Sequence, residues 1–182
     1  DFWRATTDND RSWTNAKAWR DAGLPALQHR TDGFEARRID EGVVQVRAAV
    51  RIAPPVYSRA FVCEYVYTVR GSGDVVLEAS GEPVGDWPET LPKIGLQMTL
   101  PGSMDRVSWF GRGPGESYVD TKQAQRFGLY SMSVAELHTP YIRPQENGNR
   151  TDVSWVALKD IRGFGLLAEG MPTLDFSARY FS

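Results

Sequence analysis

Five carboxylates, Asp8, Asp10, Glu116, Asp120 and Glu146, fall in segments rich in Gly, Asn or Pro, where side chains project from loops. Paired carboxyl groups are the equipment of glycoside hydrolysis, which needs them roughly 5–5.5 Å apart for retention and roughly 6.5–9.5 Å apart for inversion. Spacing along a chain does not supply such a distance. Acidic residues in loops of this composition commonly accept backbone N–H bonds and pin turns instead. Other chemistries are disfavoured more firmly. His29 and His138 stand in no motif with a serine or with Cys63, as a nucleophilic triad requires, and one Cys with two distant His makes no zinc set. The stretch Gly111-Arg112-Gly113-Pro114-Gly115 has the look of a phosphate loop up to Glu116. That carboxylate stands where a dinucleotide fingerprint takes its third glycine, and no Lys-Ser or Lys-Thr follows. Asn149-Arg150-Thr151 is a formal glycosylation sequon, with no secretion signal to give it weight.

The elements that must position these residues are strands. The chain has 182 residues, the size of one large domain. Its 21 Lys and Arg against 23 Asp and Glu leave a net charge of −2, which lacks the electrostatic footprint of a nucleic-acid or anionic-membrane partner. Six Trp, seven Tyr and eight Phe beside 17 Gly and 11 Pro favour strands and turns over helices. No run of 18 apolar residues and no basic stretch leading into an apolar segment is visible, so neither a membrane span nor a signal peptide is expected. Cys63 lies in an alternating apolar run, which predicts a buried, inert thiol compatible with a reducing cytoplasm. The chain opens at Asp1 without an initiator Met, and the expectation is an excised fragment.

Along the chain, Thr14 or Asn15 can cap a helix over Ala16 to Ala22, with Trp19 toward the core and Gly23 and Pro25 as its stop. Val44, Val46, Ala48, Val50 and Ile52 then alternate with Gln45, Arg47, Ala49 and Arg51, a strand ended by Pro54-Pro55. Phe61 to Val69 predicts an antiparallel neighbour, and Gly71-Ser72-Gly73-Asp74 a hairpin into Val75 to Ser80. Further strands are expected over Lys93 to Leu100, Met104 to Phe110, Val153 to Leu158, Phe164 to Ala168 and Leu174 to Tyr180, with a helical turn over Glu116 to Lys122. Many short strands at this spacing predict an all-β antiparallel sandwich or barrel with one short N-terminal helix.

Three clusters together carry a family resemblance: Phe2-Trp3-Arg4-Ala5-Thr6-Thr7-Asp8-Asn9-Asp10, then Trp109-Phe110-Gly111-Arg112-Gly113-Pro114-Gly115-Glu116-Ser117-Tyr118-Val119-Asp120, then Pro140 to Trp155 with its Gln145-Glu146-Asn147-Gly148-Asn149-Arg150 run. In sequence and in order they resemble the last domain of large β-galactosidases of glycoside hydrolase family 2. Thr6 stands where that family commonly has Pro, and Ser154 where it has Arg; neither departure touches a catalytic role. The resemblance implies a large antiparallel β-sandwich similar to the galactose-mutarotase-like supersandwich, here truncated at its C-terminal end. Residues 1–182 are then a single β-sandwich domain, an incomplete fragment of the last domain of a multidomain enzyme.

It also implies that the catalytic glutamates and the Mg²⁺ ligands, with Na⁺ as a second candidate ion, belong to a central barrel elsewhere in the parent, so that this chain holds no catalytic residue, metal or cofactor. The parent is expected to be a cytoplasmic homo-oligomer acting on galactosides, and the partners of this chain to be its remaining domains. The family's sugar-contacting tryptophan would lie past Ser182, matching none of Trp3, Trp13, Trp19, Trp87, Trp109 and Trp155. Arg112, Glu116, Tyr118 and Asp120 read either as a polar edge near the sugar pocket or as a pinned turn with a buried Tyr whose hydroxyl finds a partner. Arg143, Glu146, Asn147 and Arg150 read either as braces of the Asn147-Gly148 turn or as a face toward the barrel. Asp8, Asp10 and Trp155 complete the candidate sugar-pocket or interdomain face, and Phe2 and Trp3 are expected to be buried by a neighbouring domain. The competing readings are a free-standing carbohydrate-binding or aldose-epimerase-like module, which needs a positioned acid and base, and an autonomous glycosidase.

Overall fold

Alternation that puts one set of side chains on one side of a strand leads here to two four-stranded antiparallel sheets, each inside its own compact unit. The computed structural model describes residues 1–12 and 14–180, so Trp13 and the end of the chain at Phe181 and Ser182 lie outside the described residues. Their content is mostly antiparallel strand, the all-β sandwich class expected from the sequence. No helix among the described residues is long and apolar enough to cross a membrane.

The first unit, Asp1–Gly95, begins with two short helices, α1 (Asp8–Ser12) and α2 (Asn15–Asp21), and a 3₁₀ turn (Leu24–Ala26). Its sheet has the order β1 (Gln28–Asp40), β2 (Val43–Ala53), β3 (Ala60–Arg70), β4 (Val75–Val84). The predicted helix is α2, with Trp19 buried and Gly23 in the left-handed region (φ 80°) closing it. Thr14 precedes it without a side-chain cap bond. Register pairs Ile52 with Phe61 and Val50 with Cys63, and the Ile52 end of this apolar face is covered by Trp19, Ala22 and Leu24. Phe2 stacks on Phe61 at 3.8 Å and Phe61 on Trp87 at 4.2 Å. Phe2 and Trp3 pack against this core and are partly buried by it. The Cys63 thiol is buried, and burial pushes its pKa up, as expected of an inert thiol.

The second unit, Leu96–Ser182, has the order β6 (Arg126–Ser133), β5 (Arg106–Gly113), β7 (Arg150–Lys159), β8 (Gly165–Phe176). Its core holds Val107, Trp109, Leu137, Val153 and Val156. The Asp160 carboxylate accepts the Arg162 and Phe164 amides at 2.8 and 3.0 Å and shapes the β7–β8 turn.

Several boundaries differ from the sequence reading. Lys93 to Leu100 is no strand; Gly95 exchanges two backbone bonds with Asp1 instead of joining a ladder. The two segments expected at Phe164 to Ala168 and Leu174 to Tyr180 are one strand, β8, with a register shift opposite Val153 rather than a turn between them. The helix expected over Glu116 to Lys122 is a turn followed by a 3₁₀ turn at Lys122–Ala124. Strands β1 and β6 were not apparent in the sequence, because β1 is exposed along its whole length and mixes charged residues on both faces.

At Gly111 the irregular start of β7 presses on β5, and a Cβ there would stand 2.7 Å from the Val153 Cα. Gly111→Ala is expected to cost about 1–3 kcal/mol through overpacking. Gly102→Ala, with nothing within 4 Å of its Cβ position, should stay within about 0.5 kcal/mol of the parent chain. Urea unfolding of the two variants checks the pair.

Candidate functional site

The loops that precede β7 and follow β5 bring five of the sequence-predicted residues together in the second unit: Glu116, Tyr118, Glu146, Asn147 and Arg150. At their centre Arg150 is 2% exposed. A guanidinium taken out of water costs several kcal/mol unless its donors are met. The two terminal nitrogens of Arg150 find carbonyls: Gly148 at 2.8 Å, Pro114 at 2.9 Å and Leu137 at 3.4 Å. It also lies 5.5 Å from the centre of the Trp109 ring, a desolvated cation–π contact. Burial lowers its pKa while Glu116 and Tyr118 work the other way, and an arginine stays charged regardless.

Glu116 ties the two loops. One carboxylate oxygen accepts the Gly148 amide at 2.8 Å and the other accepts the Tyr141 hydroxyl. That bond, then burial, pushes the Tyr141 phenol up to about 12. Ser117 is fully buried and strapped to β7: its amide donates to the Asn149 carbonyl at 2.8 Å, and its hydroxyl accepts from the Thr151 amide at 3.0 Å. Gly148 adopts φ 78°, and a side chain there would meet the Leu137 carbonyl at 2.9 Å, so the Asn147-Gly148 turn needs glycine twice over. Glu146 is gripped by both Arg179 nitrogens, at 2.5 and 3.3 Å, and the Asn147 side chain accepts the Thr139 amide at 3.2 Å.

A second knot holds Arg112. Its Nε donates to Asp152 at 2.6 Å, and Nη1 reaches the carbonyls of Lys122 and Gln125 at 3.1 and 3.3 Å. Lys122 donates to the same carboxylate at 3.1 Å. Asp152 has φ 55°, rare outside glycine, and the two cations that grip it hold its pKa below the usual carboxylate range.

Tyr118 requires a correction. The turn is pinned as expected, its amide donating to Thr121 Oγ1 at 3.1 Å. Its hydroxyl, however, is buried and closes no hydrogen bond of good geometry among the described residues, although the Asn149 backbone faces it. Burial, then the nearby Glu116 and Glu146, push the phenol pKa far upward. The Arg150 Nε is buried without a partner among the described residues.

The remaining predicted residues lie elsewhere. Arg143 is exposed on the loop before Glu146, and Asp120 is exposed at the turn. Trp155 sits in mid-β7, across from Phe110, on the sheet face away from the core. Asp8 and Asp10 belong to the first unit. Asp8 is exposed in α1 and pairs with Arg11 at 3.1 Å. Asp10 is 8% exposed and accepts from Arg4 at 2.6 Å and from the Thr7 amide at 2.7 Å. With Thr7 reaching back to the Asp10 amide at 3.4 Å, this is a capping box at the start of α1. The Thr7-Asp8-Asn9-Asp10 spacing carried that signal, and it was missed. Also missed were Ser117, Tyr141 and Asp152, which lie inside the quoted motifs, and Lys122 and Arg179, which lie outside them.

Chemically, these groups hold one another. The carboxylates whose pKa is displaced, Asp10, Asp32, Glu136 and Asp152, are all displaced downward, away from what a general acid needs. No three His, Cys, Asp or Glu side chains among the described residues come together as a metal-ligand set.

In this all-β chain Glu116 and Arg150 engage loop backbone, and Glu146 engages the Arg179 side chain. Comparison with known proteins gives the chain a family: a model described as the β-galactosidase small chain matches residues 1–182. A β-galactosidase of Priestia megaterium is 35% identical over all of this chain, and that of Kluyveromyces lactis 35% over 92% of it. The Vibrio cholerae β-galactosidase is 36% identical over 83%. The chain belongs to the β-galactosidase small-chain family. It spans only 17%, 16% and 15% of the length of these three relatives.

Two outcomes are expected. Glu116→Gln removes the anionic acceptor, so the Tyr141 midpoint in an ultraviolet pH titration should fall from about 12 toward the ordinary value of about 10. For Asp10, burial raises the pKa but the bonds from Arg4 and Thr7 outweigh it, leaving the folded value below the unfolded one. Its contribution is therefore complete above about pH 4 and is lost as pH falls through the folded value. Asp10→Asn should cost about 1–3 kcal/mol at neutral pH and flatten the acid limb of stability against pH, measured by denaturant unfolding from pH 7 to pH 2.

Proposed function

We propose that this chain is part of the last domain of a retaining β-galactosidase of glycoside hydrolase family 2, and that it acts there as a non-catalytic scaffold. Both compact units are read as parts of that one sandwich domain, which forms one wall of the active site and makes interdomain contacts. The observation that carries the scaffold role is the state of Glu116 and Arg150, both occupied in holding loop backbone, and of Glu146, gripped by the Arg179 side chain. A glycosidase's acid/base residue needs a raised pKa and an open face toward the sugar.

The catalytic carboxylates and the Mg²⁺ and Na⁺ ligands are assigned to other parts of the parent. The described residues do not fit such an ion, since no acidic cluster stands ready for one. On this reading the galactoside meets the chain only within the intact enzyme, a cytoplasmic homo-oligomer.

The 182-residue chain should give no release of nitrophenol from a chromogenic galactoside, while the intact parent polypeptide hydrolyses it. Turnover by the short chain alone would overturn the scaffold role; an intact polypeptide inert toward galactosides would overturn the enzyme class.

A further inference from the structure

The sheet of the second unit carries a second apolar patch, on the face away from its core, rimmed by Arg106, Lys159 and Glu169. One face buries Val107, Trp109 and Val156. Register gathers the alternate residues on the other, where Leu129, Phe110 and Trp155 lie side by side across β6, β5 and β7. Phe127 meets Phe110 edge-on at 4.9 Å, and Leu167 lies opposite Ala157 on β8. Phe127, Leu129 and Leu167 are 51%, 69% and 56% exposed. An exposed apolar patch with a polar rim marks an interaction surface.

The chemistry of this face identifies the kind of occupant. Trp155 and Lys159 line a shallow groove with Ser108 and Ser131, but those two hydroxyls bond to each other at 3.1 Å. A sugar ring needs a polar partner for most of its hydroxyls, and the middle of the patch, at Phe110, Leu129 and Ala157, offers none; Glu169, opposite Trp155, stands at its edge. Protein surface suits the patch better. At the groove's end Arg106 and Lys159 stand directly opposite each other on β5 and β7. Like charges facing across strands repel, and neither has a carboxylate in ion-pair range among the described residues. A carboxylate supplied by the occupant relieves that repulsion.

The relatives are long enough to supply such an occupant, since this chain covers 17% of the Priestia megaterium enzyme. We propose that the outer face of β6-β5-β7 is the seat of an apolar segment of the parent polypeptide outside these 182 residues, flanked by a carboxylate that meets Arg106 and Lys159. The proposal rests on reading the chain as a piece of a β-galactosidase.

Photoleucine at position 129 of the intact parent polypeptide tests it, with light and heavy isotopic copies mixed to separate links within a polypeptide from links between copies. The expected result is a link within one polypeptide to a residue outside the 182. No link, a link to another copy, a link back into the 182 residues, or a link abolished by an added galactooligosaccharide would each overturn it. Arg106→Glu with Lys159→Glu should cut the yield of that link about five-fold by reversing the charge pairing, whereas Arg162→Glu on the exposed turn should leave it unchanged. Equal losses in both would overturn the carboxylate pairing. An inactive polypeptide that still gives the link leaves this face standing and removes the enzyme assignment; an active one without the link does the reverse.

Discussion

The buried guanidinium of Arg150 is the constraint from which the second unit is organised. A charge that cannot reach water must be surrounded by dipoles, and the dipoles available were the carbonyls of three separate segments, at Pro114, Leu137 and Gly148. Satisfying one side chain thereby fixes the relative positions of the loop after β5, the turn after β6 and the start of β7. Glu116 adds a second tie between the same loops through the Gly148 amide and the Tyr141 hydroxyl. It does so without entering ion-pair contact with Arg150, whose direct partners are carbonyls and the Trp109 ring. The arrangement favours a single loop geometry, because moving any one segment strips an acceptor from a charge that has no water to fall back on.

The first unit solves a similar problem at smaller cost. Arg4 is partly exposed; it grips Asp10 and donates to the Pro92 carbonyl at 2.8 Å, while lying 5.5 Å from the Trp19 ring centre. Asp10 in turn caps α1. One ion pair thus joins the N-terminal segment, a helix start and a distant loop. Burial of Trp19 depends on the same loop, through its indole bond to the Thr90 carbonyl at 2.8 Å. The motif residues at the two ends of the chain do comparable work: an arginine beside a tryptophan, with carbonyls collected around it.

Strands whose two faces differ were legible in the sequence. β2 and β3 alternate cleanly and end at Pro54 and at the Gly71 to Asp74 turn, so their pairing and connection could be read directly. β1 could not, because a strand with every residue exposed leaves no periodic trace, and β8 could not be joined across its irregularity near Gly170. For the candidate site, residue types located the loops but not the partners. Nothing local marks Arg179 as the cation for Glu146, 33 positions away, or Asp152 as the anion for Arg112, 40 positions away. Such pairs are set by strand register, which the sequence specifies only through the whole sheet.

The two buried atoms that close no good hydrogen bond deserve weight in that light. Tyr118 Oη and Arg150 Nε are both donors, both are buried, and each raises the cost of the cluster. Their presence sits alongside an apolar patch on the outer face of β6-β5-β7, another feature that costs free energy in the fragment by itself. Local hydrogen bonding accounts for Glu116, Ser117 and Asp152 in full, and for Arg150 in three of its bonds. The features it leaves over are Tyr118 Oη, Arg150 Nε and the exposed apolar patch around Phe110 and Leu129.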